Sequence, residues 1–387
     1  MSFTSLGLSP SLLKELEKQK YIKPYPIQTQ AIPSILEKRD ILGIAKTGSG
    51  KTASYVLPIL MNAHKGIALK NRYIKVLVLV PTRELAVQVH EVFKSFASAL
   101  SEPVKTMAVY GGVSINPQMM ALNGVNILIA TPGRLLELIE SKAVHLSGID
   151  TLVLDEADKM LNLGFKEEMN RIFELLPQKR QNLLFSATLS DNVKNIHQVL
   201  LHDPLVINIK SENDDFDLIN QLAYFVPEEK KGPLLRYLLK DDKLKQVLIF
   251  TSSTYKADNV ADKLRKNGID ATATHSKKSQ KARTDALRKF KSGSIRILIA
   301  TDLLSRGIDI EYLPYVINYE LPRSPKDYIH RIGRTGRAES PGEAISFITP
   351  EDEQHFKVIQ KKMGKWVTRI DSNSLDLQNE ASDEDKE

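Results

Sequence analysis

The stretch that most constrains this chain is Ala45-Lys46-Thr47-Gly48-Ser49-Gly50-Lys51-Thr52. It satisfies the spacing G-x-x-x-x-G-K-[ST] at every position but the first, where Ala45 stands in place of glycine. Gly48 and Gly50 let the backbone come close to a phosphate chain and free amide N–H groups to face it. Lys51 adds a point charge for the terminal phosphates, and the Thr52 hydroxyl suits a magnesium ion. The apolar run 41–44 reads as a strand before the loop, and 53–57 as a helix after it, reaching at least Pro58. Strand, loop and helix in that order predict a phosphate cradle at a helix N-terminus.

The same grammar recurs along the chain. The apolar run 76–80 leads into Pro81-Thr82-Arg83, and 127–130 into Thr131-Pro132-Gly133-Arg134. Residues 151–154 lead into Asp155-Glu156-Ala157-Asp158, and 183–185 into Ser186-Ala187-Thr188. After an acidic stretch the pattern resumes at 247–251, at 295–300 before Thr301, and at 316–319 and 344–348. Continuous apolar strands alternating with helices predict an α/β chain whose parallel sheets are covered on both faces. In such sheets ligands gather at the carboxyl ends of the strands, where each polar cluster stands. We expect a first domain over 1–208, an acidic linker at 209–217 and a second domain over 218–370. An acidic, disordered tail should follow at 371–387.

The segment ahead of the loop predicts a helix over 8–19, started by Ser9-Pro10. Pro24 and Pro26 then read as braces of a stiff, non-helical piece that aims Tyr21 and Gln28. An aromatic face beside an amide suits an adenine.

Composition excludes several classes. The chain has no cysteine, which removes disulfides, thiolate metal sites and cysteine nucleophiles. No apolar run reaches the length of a membrane span and no leader pattern opens the chain, so we expect a cytoplasmic protein without membrane contact. The formal charge is +7, yet 371–387 holds seven acids and one lysine, which leaves +13 on the rest. A basic body suits a polyanionic partner.

Asp155 at a strand end is placed to hold magnesium with Thr52, and Glu156 to orient or deprotonate an attacking water. Arg334 and Arg337 are three apart, so in helical backbone they would share a face and could reach a γ-phosphate. Thr82, Arg83, Gly111, Gly112, Thr131, Gly133 and Arg134, with Thr301 and Arg306, offer hydroxyls, bare amides and single guanidiniums. Those groups suit a nucleic-acid backbone and do not read bases.

These residues together resemble the DEAD-box ATP-dependent RNA helicases, whose name Asp155-Glu156-Ala157-Asp158 spells. The likeness covers about residues 3–350 and runs from Phe3 and Gln28 through the phosphate loop to Gln280-Lys281-Ala282-Arg283 and residues 330–337. It implies two tandem RecA-like domains, ATP and Mg2+ as ligands, and a single strand or short duplex of RNA as partner of a monomer. It further implies adenine recognition by Gln28 with Tyr21 packed nearby, ribose contact by Asp309, and RNA contact by Arg283. Coupling would fall to Asp158, Ser186, Thr188 and His330, and the finger positions to Arg334 and Arg337. Departures are Lys20 and Tyr25, where glycine and threonine are usual, and Ser276 after His275. The activity implied is RNA-stimulated ATP hydrolysis with local, non-processive unwinding; an ATP-gated RNA clamp is the alternative.

Overall fold

Short runs that are apolar on both sides have one stable home, the interior of a parallel sheet sandwiched by helices. The computed structural model describes residues 2–46, 48–63, 72–189, 191–209, 219–240, 244–302, 313–336 and 342–377. It divides into two compact units, Met1–Ser211 and Glu212–Glu387.

The first unit holds β1 (Ile41–Ile44), β2 (Val76–Leu79), β3 (Thr106–Val109), β4 (Ile127–Ala130), β5 (Thr151–Leu154), β6 (Gln181–Ser186) and β7 (Leu205–Asn208). Among the described residues their order is β3-β4-β2-β5-β6-β1-β7, parallel throughout. Successive side chains of one strand point to opposite faces, and the core divides accordingly. Val76, Val78, Ile127, Ile129 and Val153 enter one apolar cluster, while Leu77, Leu79, Leu128, Ala130 and Leu152 enter another across the sheet.

The second unit repeats the plan with β8 (Ile219–Phe225), β9 (Val247–Thr251), β10 (Ala271–Thr274), β11 (Ile297–Thr301), β12 (Tyr315–Asn318), β13 (Gly342–Ile348) and β14 (Thr368–Asp371). Its order is β10-β11-β9-β12-β13-β8-β14, again parallel.

Several local expectations change. Gln28 does not sit on a non-helical brace; Pro26 opens the helix Pro26–Leu36, and Gln28 lies in its first turn. Proline fits a first helical position because its missing N–H has no helical partner there. The helix expected after the phosphate loop does form, as Lys51–Ala63, and continues past Pro58. A mid-helix proline costs about 3 kcal/mol. Tyr55, Val56, Leu57 and Leu60 are fully buried on that helix, at about 1.5–3 kcal/mol each, so packing outweighs the defect. The expected tail also starts later: Asp371 ends β14, Ser372–Ser374 form a turn, and Leu377 packs into the core. The linker residues 210–217 and the tail from 378 lie outside the described residues.

Among the described residues, no helix is long and apolar enough to cross a membrane.

Candidate active site

In a parallel sheet every strand ends on the same edge, so the polar clusters that follow β1 to β6 converge. β1 leads into the phosphate loop, with the Ala45 N–H donating to the Ser186 carbonyl on neighbouring β6 at 3.1 Å. Gly50 takes φ 84°, and a Cβ there would collide with the amide of Gln28 and the ring of Tyr25. Gln28 is fully buried; its Nε2 donates to the Gly50 carbonyl at 3.1 Å, and its Oε1 accepts the Tyr25 N–H at 2.9 Å. The amide predicted to face an adenine therefore also fastens the loop, and its second Nε2 hydrogen is what remains for a base. Tyr21 packs edge-on against Phe3 and Phe96 at 6.4 and 5.7 Å between centroids. Lys20, where glycine is usual, holds a left-handed φ of 62°, a conformation glycine takes without strain.

Lys51 opens its helix and is buried. Its Nζ donates to the carbonyls of Ala45 at 2.6 Å and Lys46 at 2.9 Å, so the loop is closed over its own lysine. Burial pushes its pKa down, against the pull of Asp155 and Glu156. Ser49 Oγ, also buried, has no hydrogen-bond partner among the described residues.

Asp155 follows β5. Its Oδ2 accepts a hydrogen bond from the Tyr55 hydroxyl at 2.8 Å, and its buried Oδ1 has no partner among the described residues. Burial first, and the neighbouring Glu156 second, raise its pKa from 3.8 to about 6, while Lys51 and Tyr55 oppose. Tyr55 also contacts Thr52, and burial raises its own pKa well above the usual value. Glu156 sits in the left-handed region at φ 53°, ψ 46°, a conformation that costs a non-glycine residue about 1–3 kcal/mol. Its Oε1 pairs with Lys159 Nζ at 2.6 Å, and its buried Oε2 is unpartnered among the described residues.

Two carboxylate oxygens left bare in a buried site, beside a threonine hydroxyl and a lysine, fit a magnesium nucleotide. Among the described residues no cluster of three acids or histidines could hold a metal alone, so the ion would complete its shell with phosphate and water oxygens.

Behind the acid pair, the Thr188 hydroxyl donates to Asp158 Oδ2 at 3.0 Å and Ser186 Oγ donates to the Thr188 carbonyl at 2.8 Å. The loops after β5 and β6 are thereby tied together.

Along the same edge, Thr82 caps the helix Arg83–Ala97 by accepting the Leu85 N–H. The Arg83 guanidinium lies where a Cβ on Gly112 would be, while Gly111 and Gly133 face open space. Thr131 precedes the helix Pro132–Glu140 and is buried. Arg134 is tied inward, to Glu137 Oε2 and the Val113 carbonyl, both at 2.8 Å.

In the second unit, Thr301 ends β11, and Arg283 is buried on the helix Gln280–Lys291. His330 lies in the last turn of the helix Pro325–Ile332. The expected helical face shared by Arg334 and Arg337 is not formed, because Gly333 caps that helix and Arg334 lies beyond it. The Arg334 carbonyl instead accepts the Leu313 N–H at 3.1 Å. Thr47, Arg306, Asp309 and Arg337 lie outside the described residues.

Three residues carry geometry that sequence reading gave no part. Tyr55 lies one helical turn after Lys51, and that spacing was the available signal. Lys159 restrains Glu156. Arg331, fully buried, is held bidentately by Asp302 at 2.5 and 2.8 Å, donates to Asn318 Oδ1 and the Glu320 carbonyl, and lies over the Phe250 ring.

Comparison with known proteins agrees with this geometry. Residues 25–196 match the DEAD/DEAH box helicase family model, and residues 230–339 match the helicase conserved C-terminal domain. The DEAD-box ATP-dependent RNA helicase CshA of Bacillus cereus is 38% identical over 378 residues, covering 97% of this chain and 70% of the relative. The CshA protein of Streptococcus pneumoniae is 40% identical over 377 residues, covering 97% and 71%. Among solved structures, Saccharomyces cerevisiae Dbp5 bound to RNA and ADP BeF3 is similar with TM-score 0.83 and 30% identity, covering 96% of each chain. A DEAD box protein from Methanococcus jannaschii is similar with TM-score 0.54 and 37% identity, covering 96% of this chain and 99% of that one. The two parallel sheets are tandem RecA-like domains, and the chain belongs to the DEAD-box family of ATP-dependent RNA helicases.

Proposed function

We propose that this protein hydrolyses ATP in response to RNA and uses the cycle to open short RNA duplexes locally, without processive travel. One observation carries the reading: Asp155 Oδ1 and Glu156 Oε2 are buried and unpartnered among the described residues, next to Lys51 and Thr52. Bare buried carboxylate oxygens are costly, and a magnesium nucleotide with its attacking water would satisfy both.

On ATP binding, Lys51 exchanges the loop carbonyls for phosphate oxygens, and the loop amides turn to the same anion. Thr52 and Asp155 would hold magnesium, which would supply charge neutralisation on the phosphates. Glu156, restrained through Oε1, keeps Oε2 for the attacking water and accepts its proton. Gln28 and Tyr21 serve the adenine, and Asp309 the ribose. Arg334 and Arg337 meet the charge on the transferred phosphoryl group, a contribution of about 10³–10⁵ in rate for arginines of this kind.

RNA is held through its backbone by Thr82, Arg83, Gly111, Gly112, Thr131, Gly133 and Arg134 from one unit, and by Arg283, Thr301 and Arg306 from the other. Asp158, Ser186, Thr188 and His330 link the two ligands. Nucleotide and RNA together draw the units shut and bend one strand. A base-pair step costs about 1.4 kcal/mol to separate, with the DNA value as a guide, so one closure releases a handful of pairs. The protein acts as a cytoplasmic monomer.

The test is ATP turnover with and without single-stranded RNA. Turnover should rise with RNA. Glu156→Gln should keep nucleotide binding while lowering turnover by about 10²–10⁴, and Arg334→Ala should do likewise. Equal rates with and without RNA would overturn the proposal.

A further inference from the structure

Trp366 is the only tryptophan of the chain and is 75% exposed. It follows the helix Glu353–Met363, whose inner face buries Phe356, Ile359 and Gln360. Gly364 ends that helix at φ 69°, in the left-handed region, and turns the chain back. Gln360 Oε1 then accepts the Val367 N–H at 2.9 Å, and Val367 packs into the cluster with Phe356 and Ile359. With Val367 pinned inward just before β14, its neighbour Trp366 is turned outward. The exposure belongs to a fixed loop, not to a frayed end.

A single exposed apolar residue needs no explanation, but this one has company. Val358 is also exposed, and between residues 353 and 370 five cations (Lys357, Lys361, Lys362, Lys365, Arg369) stand against Glu353. Lys357 and Arg369 share that acid at 3.4 and 3.2 Å. Lys361 and Lys362 are exposed and meet no acid among the described residues. A preset indole four and five residues along the chain from two uncompensated ammonium groups offers the two parts of a sequence-tolerant single-strand contact: charge for phosphates and a π-face for bases.

We infer that this surface is an accessory contact for single-stranded RNA, with phosphates on Lys361 and Lys362 and a base stacked on Trp366. Its place separates it from the contacts proposed above. The helix starts after the carboxyl end of β13 and its far end leads into parallel β14, so Trp366 lies toward the amino ends of the strands. Thr301, at the carboxyl end of β11, lies at the opposite edge of that sheet. A segment of RNA outside the bent strand is what it would hold. A protein partner fits less well, because one tryptophan and one valine fall far short of the roughly 800 Å² per side of a stable interface.

The inference rests on the reading that the chain binds RNA, and the test separates the two. Emission from a lone tryptophan reports this patch alone, while anisotropy of a labelled RNA reports binding anywhere. A long single-stranded RNA, added without nucleotide, should quench Trp366 in step with the rise in anisotropy. Trp366→Ala should weaken its affinity about five-fold or more, and Trp366→Phe should restore most of it. Lys361→Gln with Lys362→Gln should lower the slope of log affinity against log salt by about 1.4. ATP turnover stimulated by short RNA should stay unchanged in all these variants. A rise in anisotropy with unmoved emission would overturn the accessory contact and leave the proposed function standing. No rise in either signal would also overturn the accessory contact, while the proposed function stands or falls on turnover with and without RNA. Emission that responds to anionic lipid vesicles and not to RNA would reassign the patch to a membrane surface.

Discussion

Asp155 is the residue on which most of the site's electrostatics turns. Its carboxyl is raised to about 6, chiefly by burial. A raised acid favours the folded state while neutral. That contribution is full below the usual value of 3.8 and is lost as pH climbs through about 6. At the proposed magnesium site the ion would need the carboxylate, so the two demands would oppose each other. Affinity for magnesium nucleotide should be flat above pH 6 and fall about tenfold per pH unit below it. Tyr55→Phe removes a hydrogen bond that holds the pKa down, so the inflection should move to higher pH. Binding titrations across pH check both. An inflection that stays in place would show that Tyr55 does not set this acid. The lysine, the threonine and the acid pair were legible because loop chemistry depends on local spacing. Tyr55 was not, because its partner lies 100 residues away.

At the scale of elements, the central strands were legible except β8, whose apolar run is broken by Asn220 and Gln221 along Ile219–Phe225, and the edges were not. β2, β4, β5 and β9 are buried along their whole length, and that environment leaves an unbroken apolar run. β3, β7, β10 and β14 lie at sheet edges, where one flank meets solvent and polar residues such as Thr368 and Arg369 are tolerated, so apolar runs there are short, as Leu205-Val206-Ile207 in β7, or missing, as in β14. Arg334 was misplaced for a related reason: spacing of three implies a shared face only if the helix continues, and Gly333 stops it. One buried carboxylate shows how the strand starts are held. Asp40, just before β1, accepts from the Asn182 N–H at 2.7 Å, from Asn182 Nδ2 at 3.3 Å and from the His202 N–H at 3.0 Å. Asp40→Ala leaves those donors unpaired, at about 1–3 kcal/mol for each buried group. A thermal melt should lose on the order of 5–15 °C, with nucleotide affinity of the folded protein unchanged. A melt within a degree of the parent would contradict that account.

At the scale of the molecule, two sheets of the same parallel plan carry unlike equipment. The first holds the phosphate loop and the acid pair, and the second holds the arginines and no loop of that kind. If, as proposed, arginines of the second unit act on a nucleotide held by the first, hydrolysis is conditional on the two meeting, and RNA that contacts both would set the condition. The absence of cysteine makes this directly measurable. Leu175→Cys and Tyr237→Cys, exposed positions in the first and second unit, accept a donor and an acceptor dye. Energy transfer should rise when a non-hydrolysable ATP analogue and single-stranded RNA are both saturating, and should change little with either alone. Transfer that stays at the unliganded value with both ligands bound would contradict the claim that nucleotide and RNA jointly close the protein.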